Sequence, residues 1–146
     1  MGDILVDACV FINAMKSDSV HRDECVAFLE MLSQSNQPML MPAHGWFEVW
    51  CNLKRIEKID KKFQGAAINS LWSFPIRLIH IDDKFISKYG NMEIPYSKAG
   101  DHIYLVVALG EGYRLVTTDN GMSKIARQLE IAVFTPAEFV ATQHVA

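Results

Sequence analysis

Residues 99–121 read AGDHIYLVVALGEGYRLVTTDNG, and this stretch decides the fold class. From Ala99 to Glu111 the pattern is helical and carries almost no charge after Asp101, which predicts a helix buried on most sides. Arg114 to Thr118 is short, apolar and β-branched, and reads as a strand that ends at Asp119. Asn120-Gly121 then breaks it.

Working outward, the same alternation continues in both directions. Downstream, residues 122–129 look helical, 131–134 strand-like, and Pro136 opens a last helix where proline is tolerated. Upstream, residues 90–97 (GNMEIPYS) form a loop, and Asp82 can cap a short helix over 83–89. Ile76 to Ile81 alternates as a strand, after a predicted helix over 60–73 that ends before Pro75. Trp46, Val49, Trp50 and Leu53 repeat at helical spacing within 44–57, as do Cys25, Phe28, Leu29 and Leu32 within 22–34. Met39-Leu40-Met41 and Ile4-Leu5-Val6 are short strands, stopped by Pro42 and Asp7. Strands alternating with helices imply an α/β fold, a parallel sheet covered on both faces. Ligands of such sheets bind beyond the carboxyl ends of the strands, where the strand order reverses.

What stands at those ends is acidic. Asp7 follows Ile-Leu-Val, and Asp119 follows Leu-Val-Thr-Thr. Glu48 is the only formal charge between Pro38 and Leu53, and Asp101 the only one from 101 to Gly110. Isolated carboxylates in apolar segments are costly unless paired, hydrogen-bonded or bound to a cation. Each has a bland alternative. Asp101 suits a helix N-terminus through the dipole, Asp119-Asn120-Gly121 is a good turn, Asp7 could cap the next segment, and Glu48 could reach solvent. Four together, with no basic residue near Glu48 until Lys54, point instead to a hard divalent cation, for which oxygen donors are suited.

Composition limits the alternatives. The chain has 146 residues, 50% hydrophobic and 21% charged, with a formal net charge of −3. One domain spanning residues 1–146 is expected, and a strongly basic nucleic-acid-coating protein is excluded. Three cysteines, Cys9, Cys25 and Cys51, form no CxxC pair and read as small core residues in a reducing cytosol. No basic leader region precedes the first apolar run, Val6 spoils a myristoylation motif, and no uncharged apolar run reaches the roughly 18 residues that span a bilayer. A cytoplasmic protein without a membrane contact is expected. Histidines 21, 44, 80, 102 and 144 lack zinc-ligand spacing, and no Gly-rich phosphate loop or GxSxG elbow is present. Trp46, Trp50 and Trp72 read as core or interface residues rather than base-stacking platforms. Five of the 14 basic residues fall within 54–62. Lys54 and Arg55 there are candidates for gripping phosphates, against the plainer reading of a solvated helix connection.

The segments VDACVFINA, GWFEVWCNL, KAGDHIYLVVAL and LVTTDNGM followed by IAVFTP, in this order and spacing, resemble the PIN-domain ribonucleases and among them the VapC-type toxins. The resemblance spans essentially the whole chain. It implies a three-layer αβα fold with a central five-stranded parallel sheet in order 3-2-1-4-5, which sets Asp7 and Asp119 side by side. It implies a catalytic quartet of Asp7, Glu48, Asp101 and Asp119, with Asp7, Asp101 and Asp119 as metal ligands and Thr117 in support. One position departs from the pattern. Where the family often has Ser or Asn two places after the first Asp, this chain has Cys9, which puts one supporting hydrogen bond in question.

The implied activity is hydrolysis of RNA phosphodiester bonds by an endoribonuclease using Mg²⁺ or Mn²⁺. The implied setting is the toxin of a toxin–antitoxin pair, a homodimer with an antitoxin partner. The alternative is a catalytically silent PIN domain that binds RNA or protein. An aspartyl phosphatase would want a second Asp where Cys9 stands, and a receiver-like domain a lysine that Thr117-Thr118-Asp119 does not supply. Setting four site acids aside leaves 13 acids against 14 bases, a balance of +1, so the acidic total does not count against a nucleic-acid substrate.

Overall fold

The structure, a computed structural model, describes residues 2–59 and 73–143. Its centre is a five-stranded parallel sheet in the order β3-β2-β1-β4-β5. The strands are β1 (Ile4–Val6), β2 (Met39–Pro42), β3 (Ile76–Ile79), β4 (Arg114–Val116) and β5 (Val133–Phe134). The helices are α1 (Ala8–Met15), α2 (Arg22–Ser35), α3 (Ala43–Ile59), α4 (Asp83–Tyr89), α5 (Ala99–Glu111), α6 (Asn120–Gln128) and α7 (Pro136–Gln143).

Alternation along the central strands sorts the core into two layers. Ile4, Val6, Met39, Met41 and Val116 face one side, where α1, α2, α3 and α7 bring Phe11, Phe28, Leu32, Val49, Leu53 and Phe139. Leu5, Leu40 and Leu115 face the other, where α4, α5 and α6 bring Tyr89, Tyr104, Leu105, Met122 and Ala126. Both faces of β1 are covered, so it reads as an unbroken apolar run. Each fully buried Leu, Ile or Phe contributes about 1.5–3 kcal/mol, which is why such short strands suffice at the centre. β3, at the edge, exposes Arg77 and Leu78, and the charge discourages pairing with another chain.

The expected three-layer αβα order 3-2-1-4-5 is therefore what the chain forms. Several boundaries differ. β3 and β4 are shorter than their apolar patterns because pairing ends before the β-type residues do, and β5 begins two residues into its own. α6 starts at Asn120 rather than 122, since Asp119 caps it instead of merely closing a turn. α1 is an addition: Ala8–Met15 is too short and too uniformly apolar to show a period, yet a side-chain cap and burial of Ala8, Val10 and Phe11 make it helical. The helix expected over 60–73 lies outside the described residues except for Ser73, which is in a turn, and Trp72, His144 and the basic stretch beyond α3 lie outside them too. Trp46 and Trp50 do pack into the core layer, Trp46 edge-on to Phe11 at 5.5 Å and Trp50 edge-on to Trp46 at 6.1 Å.

The cysteines divide three ways, contrary to a uniform core reading. Cys25 is buried, Cys9 is half-buried and Cys51 is exposed; all three are free thiols. Among the described residues no helix is long and apolar enough to cross a membrane.

Candidate active site

β1 and β4 are neighbours, with Val6 opposite Val116, and the sheet's strand order reverses between them. Asp7 is the first residue past β1, and its N–H still donates to Val116 O at 3.0 Å. That bond continues the ladder and fixes where the side chain leaves the sheet. Asp7 is only 7% exposed, so its carboxylate needs donors. It has three. Thr117 Oγ1 donates to Oδ2 at 2.7 Å, Cys9 Sγ donates to Oδ2 at 3.0 Å, and Cys9 N–H reaches Oδ1 at 3.4 Å as the α1 cap.

Thr117 is fully buried, and its hydroxyl has a second role: it accepts the N–H of Asp119 at 3.0 Å. One hydroxyl thus ties the two strand-end aspartates together. Asp119 Oδ1 accepts the N–H of Met122 at 2.9 Å, capping α6. The space beside that oxygen is kept by Gly121, where a Cβ would stand 3.2 Å from Oδ1.

Cys9 supplies the hydrogen bond that its departure from the Ser/Asn pattern left in question. Its sulfur also accepts from Thr118 Oγ1 at 3.1 Å, so it bridges the ends of β1 and β4. Burial, and then the charge of Asp7, push the Cys9 thiol far above its ordinary range. It therefore stays protonated and acts as a donor.

Asp101 comes from the first turn of α5 and is half-buried. Burial raises its pKa above the ordinary carboxylate value, and the charges of Asp119 and Asp7 raise it further. Three acids from three elements thus share one electrostatic field. Lys98 and His44 oppose the rise, so Asp101 is not as isolated from basic groups as its sequence neighbourhood implies.

Glu48 is exposed on α3. Its charge and that of Asp7 act on Tyr104, whose phenol is pushed far up, first of all by burial. Tyr104 Oη accepts the N–H of Ala8 at 3.1 Å, at the start of α1. Gly45 permits this approach, because a Cβ there would lie 2.2 Å from that oxygen. Lys54 and Arg55 are exposed further along α3.

Two side chains of this region were silent in the sequence. Tyr104 sits inside an apolar run and reads as core, which it also is. His44 lies one helical turn before Glu48, the only signal it gives. Its ring meets that of Tyr104 at 5.6 Å, and its buried Nδ1 has no hydrogen-bond partner among the described residues. His102, beside Asp101, lies 3.4 Å from Ser97 Oγ through Nδ1.

The donor set suits a hard divalent cation: oxygen ligands, a shared field and one carboxyl with raised proton affinity. The spacing is open, however. Among the described residues no three His, Cys, Asp or Glu side chains stand close enough to enclose an ion.

Comparison with known proteins agrees with the fold. No curated protein matches the chain. VapBC2 from Rickettsia felis, bound to a DNA fragment from its promoter, is similar with a TM-score of 0.57 and 14% identity, over 90% of this chain and 97% of that one. VapC20 of Mycobacterium tuberculosis, a toxin that cleaves the sarcin–ricin loop, is similar with a TM-score of 0.58 and 16% identity, over 84% and 94%. FitAcB from Neisseria gonorrhoeae is similar with a TM-score of 0.55 and 19% identity, over 91% and 97%. At such identities the likeness concerns the fold. The sequence itself matches the PIN domain over residues 4–128, most of its length, and the chain belongs to the PIN domain family.

Proposed function

We propose that the chain is a metal-dependent endoribonuclease, a single domain over residues 1–146. The observation that carries this is the placing of Asp7 and Asp119 just past the neighbouring strands β1 and β4, tied by one Thr117 hydroxyl, with Asp101 in the first turn of α5. Asp7, Asp101 and Asp119 would hold Mg²⁺ or Mn²⁺, which would supply Lewis acidity and a water of lowered pKa. The chain's own residues do the rest. Thr117 and Cys9 hold Asp7 in one orientation, so little rearrangement is needed on ligand binding. Asp119 commits Oδ1 to the α6 cap and has Oδ2 for a ligand. Asp101, whose charged form is disfavoured by burial and by Asp119 and Asp7, is the carboxylate that a cation would relieve most. Glu48 orients the attacking water, and Lys54 and Arg55 grip flanking phosphates without reading sequence.

The likeness to VapBC2 and VapC20 supports the toxin of a toxin–antitoxin pair with an antitoxin partner. A cytoplasmic homodimer belongs to the same reading. Three free thiols accord with a reducing compartment. The test is cleavage of total cellular RNA with and without chelator. Asp7→Asn and Asp101→Asn should each abolish it, and unchanged cleavage by the double variant would sink the reading.

The open spacing of the carboxylates favours a second reading, a PIN domain that binds RNA or protein without cutting. Calorimetric titration with Mn²⁺ separates the two. Heat of binding that disappears in Asp101→Asn supports the nuclease, and absence of heat supports the silent module.

A further inference from the structure

A row of side-chain hydrogen bonds runs from the connection between α1 and α2 to the first aspartate of the site. Ser19 Oγ donates to Asn13 Oδ1 at 2.9 Å, and Asn13 Nδ2 donates to Thr118 Oγ1 at 3.0 Å. Thr118 Oγ1 donates to Cys9 Sγ at 3.1 Å, and Cys9 Sγ donates to Asp7 Oδ2 at 3.0 Å. Asn13 and Cys9 lie on α1, Thr118 lies two residues past β4, and Ser19 precedes α2. Asn13, Thr118 and Ser19 are half-buried and have no part in the acidic quartet.

The chemistry of the amide gives the row one direction. An amide oxygen only accepts and an amide nitrogen only donates. Ser19 Oγ already accepts the N–H of His21 at 3.2 Å and sends its own hydrogen to Asn13 Oδ1. That turns the amide nitrogen to Thr118, whose single hydrogen goes on to sulfur. The sulfur also takes the N–H of Thr118 at 3.5 Å, and its one hydrogen goes to Asp7. Bonds in such a row polarise one another, which strengthens a thiol that is a weak donor by itself. At the far end, Asp7 Oδ2 takes both the thiol and Thr117 Oγ1, whereas Oδ1 takes the longer bond from Cys9 N–H at 3.4 Å. The carboxylate is pinned mainly through one oxygen.

We infer that Asn13 and Thr118 are positioning residues for Asp7: they hold the Cys9 hydrogen on Oδ2 and so fix the carboxylate, with Oδ1 kept for a ligand. This rests on the nuclease reading for what Asp7 binds. The row itself belongs to the metal-free chain and is tested there.

The experiment records the S–H stretching band of Cys9 in the metal-free full chain, as the infrared difference from Cys9→Ser, with circular dichroism to confirm folding. Thr118→Val removes the hydroxyl. Asn13→Asp keeps the shape and replaces the amide donor by an acceptor, which draws the Thr118 hydrogen away from sulfur. Both should move the band to higher frequency, the sign of a weaker bond to Asp7, and Thr118→Ser should restore it. Calorimetric titration with Mn²⁺ should show binding about tenfold weaker in both variants, the usual effect of losing a group that orients a ligand. Cleavage of RNA should lose kcat with KM little changed. The two variants lie on different elements, so either carries the test where the other fails to fold. A band that stays in place in folded variants overturns the inference. So does a shifted band with Mn²⁺ binding as in the wild type, which makes the row structural only. A shifted band in a chain whose wild type neither binds Mn²⁺ nor cuts RNA upholds the positioning of Asp7 and removes the nuclease reading instead.

Discussion

The Thr117 hydroxyl donates to Asp7 Oδ2 at 2.7 Å across the junction of β4 and β1, and the same oxygen accepts the N–H of Asp119. Both lie next to the switch point of the sheet, where a fully buried side chain would ordinarily be apolar. A buried hydroxyl with donor and acceptor roles both filled is stable there, and it sets the spacing of the two acids.

Thr117→Val keeps the shape and removes both bonds. Each orphaned partner costs about 1–3 kcal/mol, so the variant should unfold at lower denaturant and lose most cleavage. Thr117→Ser should recover both. Denaturant midpoints measured beside cleavage rates check this, and a Val variant of wild-type stability contradicts it.

Cys9→Ser should keep the donor to Asp7 and retain activity, whereas Cys9→Ala should reduce it. The cysteines should also differ towards iodoacetamide. Cys51 is exposed, while burial pushes the Cys25 thiol up to about 12 and holds Cys9 higher still. Folded protein at mildly alkaline pH should be alkylated at Cys51 first, as read by peptide mass spectrometry. Equal labelling of Cys25 argues against the fold around α2.

Asp101 binds its proton more tightly in the native state than in the unfolded chain, because burial, Asp119 and Asp7 all favour the neutral form. Its contribution to stability is fully present below the ordinary Asp pKa of about 3.9 and is lost as pH rises through the raised native value. At neutral pH the charged form therefore sits in an unfavourable place. Asp101→Asn should raise the Tm of metal-free protein at neutral pH by a few degrees while abolishing cleavage. Metal-dependent activity should fall on acidification at a higher pH than an unperturbed aspartate would set, because protons compete with the cation for this ligand. Scanning calorimetry and a pH–rate profile test the pair. A lower Tm for the variant refutes the first part.

Gly45→Ala would drive a methyl group into the Tyr104 hydroxyl, displacing it from Ala8 N–H. Overpacking of this kind costs about 1–3 kcal/mol. Gly45→Ala combined with Tyr104→Phe should recover part of the loss, and an absence of coupling in that cycle rules out the contact.

Lys54→Glu with Arg55→Glu should weaken RNA binding at every sequence and reduce the slope of log affinity against log salt by about 1.4, the share of two phosphate contacts on a single strand. An unchanged slope favours a solvated helix face.

The layers of this fold were legible because β1, β2 and β4 are short apolar runs ending at Asp7, Pro42 and Asp119. Asp7, Asp101 and Asp119 were legible as lone charges next to such runs, and the structure brings them into one field. α1 was not legible, since an octapeptide with Asn13 as its single polar residue has too little contrast to show a period. Nor were Tyr104 and His44, whose roles depend on α3 and α5 meeting in space. Cys9 looked like a lost hydrogen bond because a thiol is a weak donor in isolation. Beside the buried carboxylate of Asp7 it finds a geometry that makes the bond.

The bond from Thr117 to Asp7 also has a consequence in time. It closes a loop of 110 residues. Asp7 leaves the ribosome first, and its partner beyond β4 follows 110 residues later. Contacts this distant in sequence form late and raise contact order. A nascent chain therefore carries the first aspartate of the site long before it can assemble the rest, and translation delays whatever activity the acids perform.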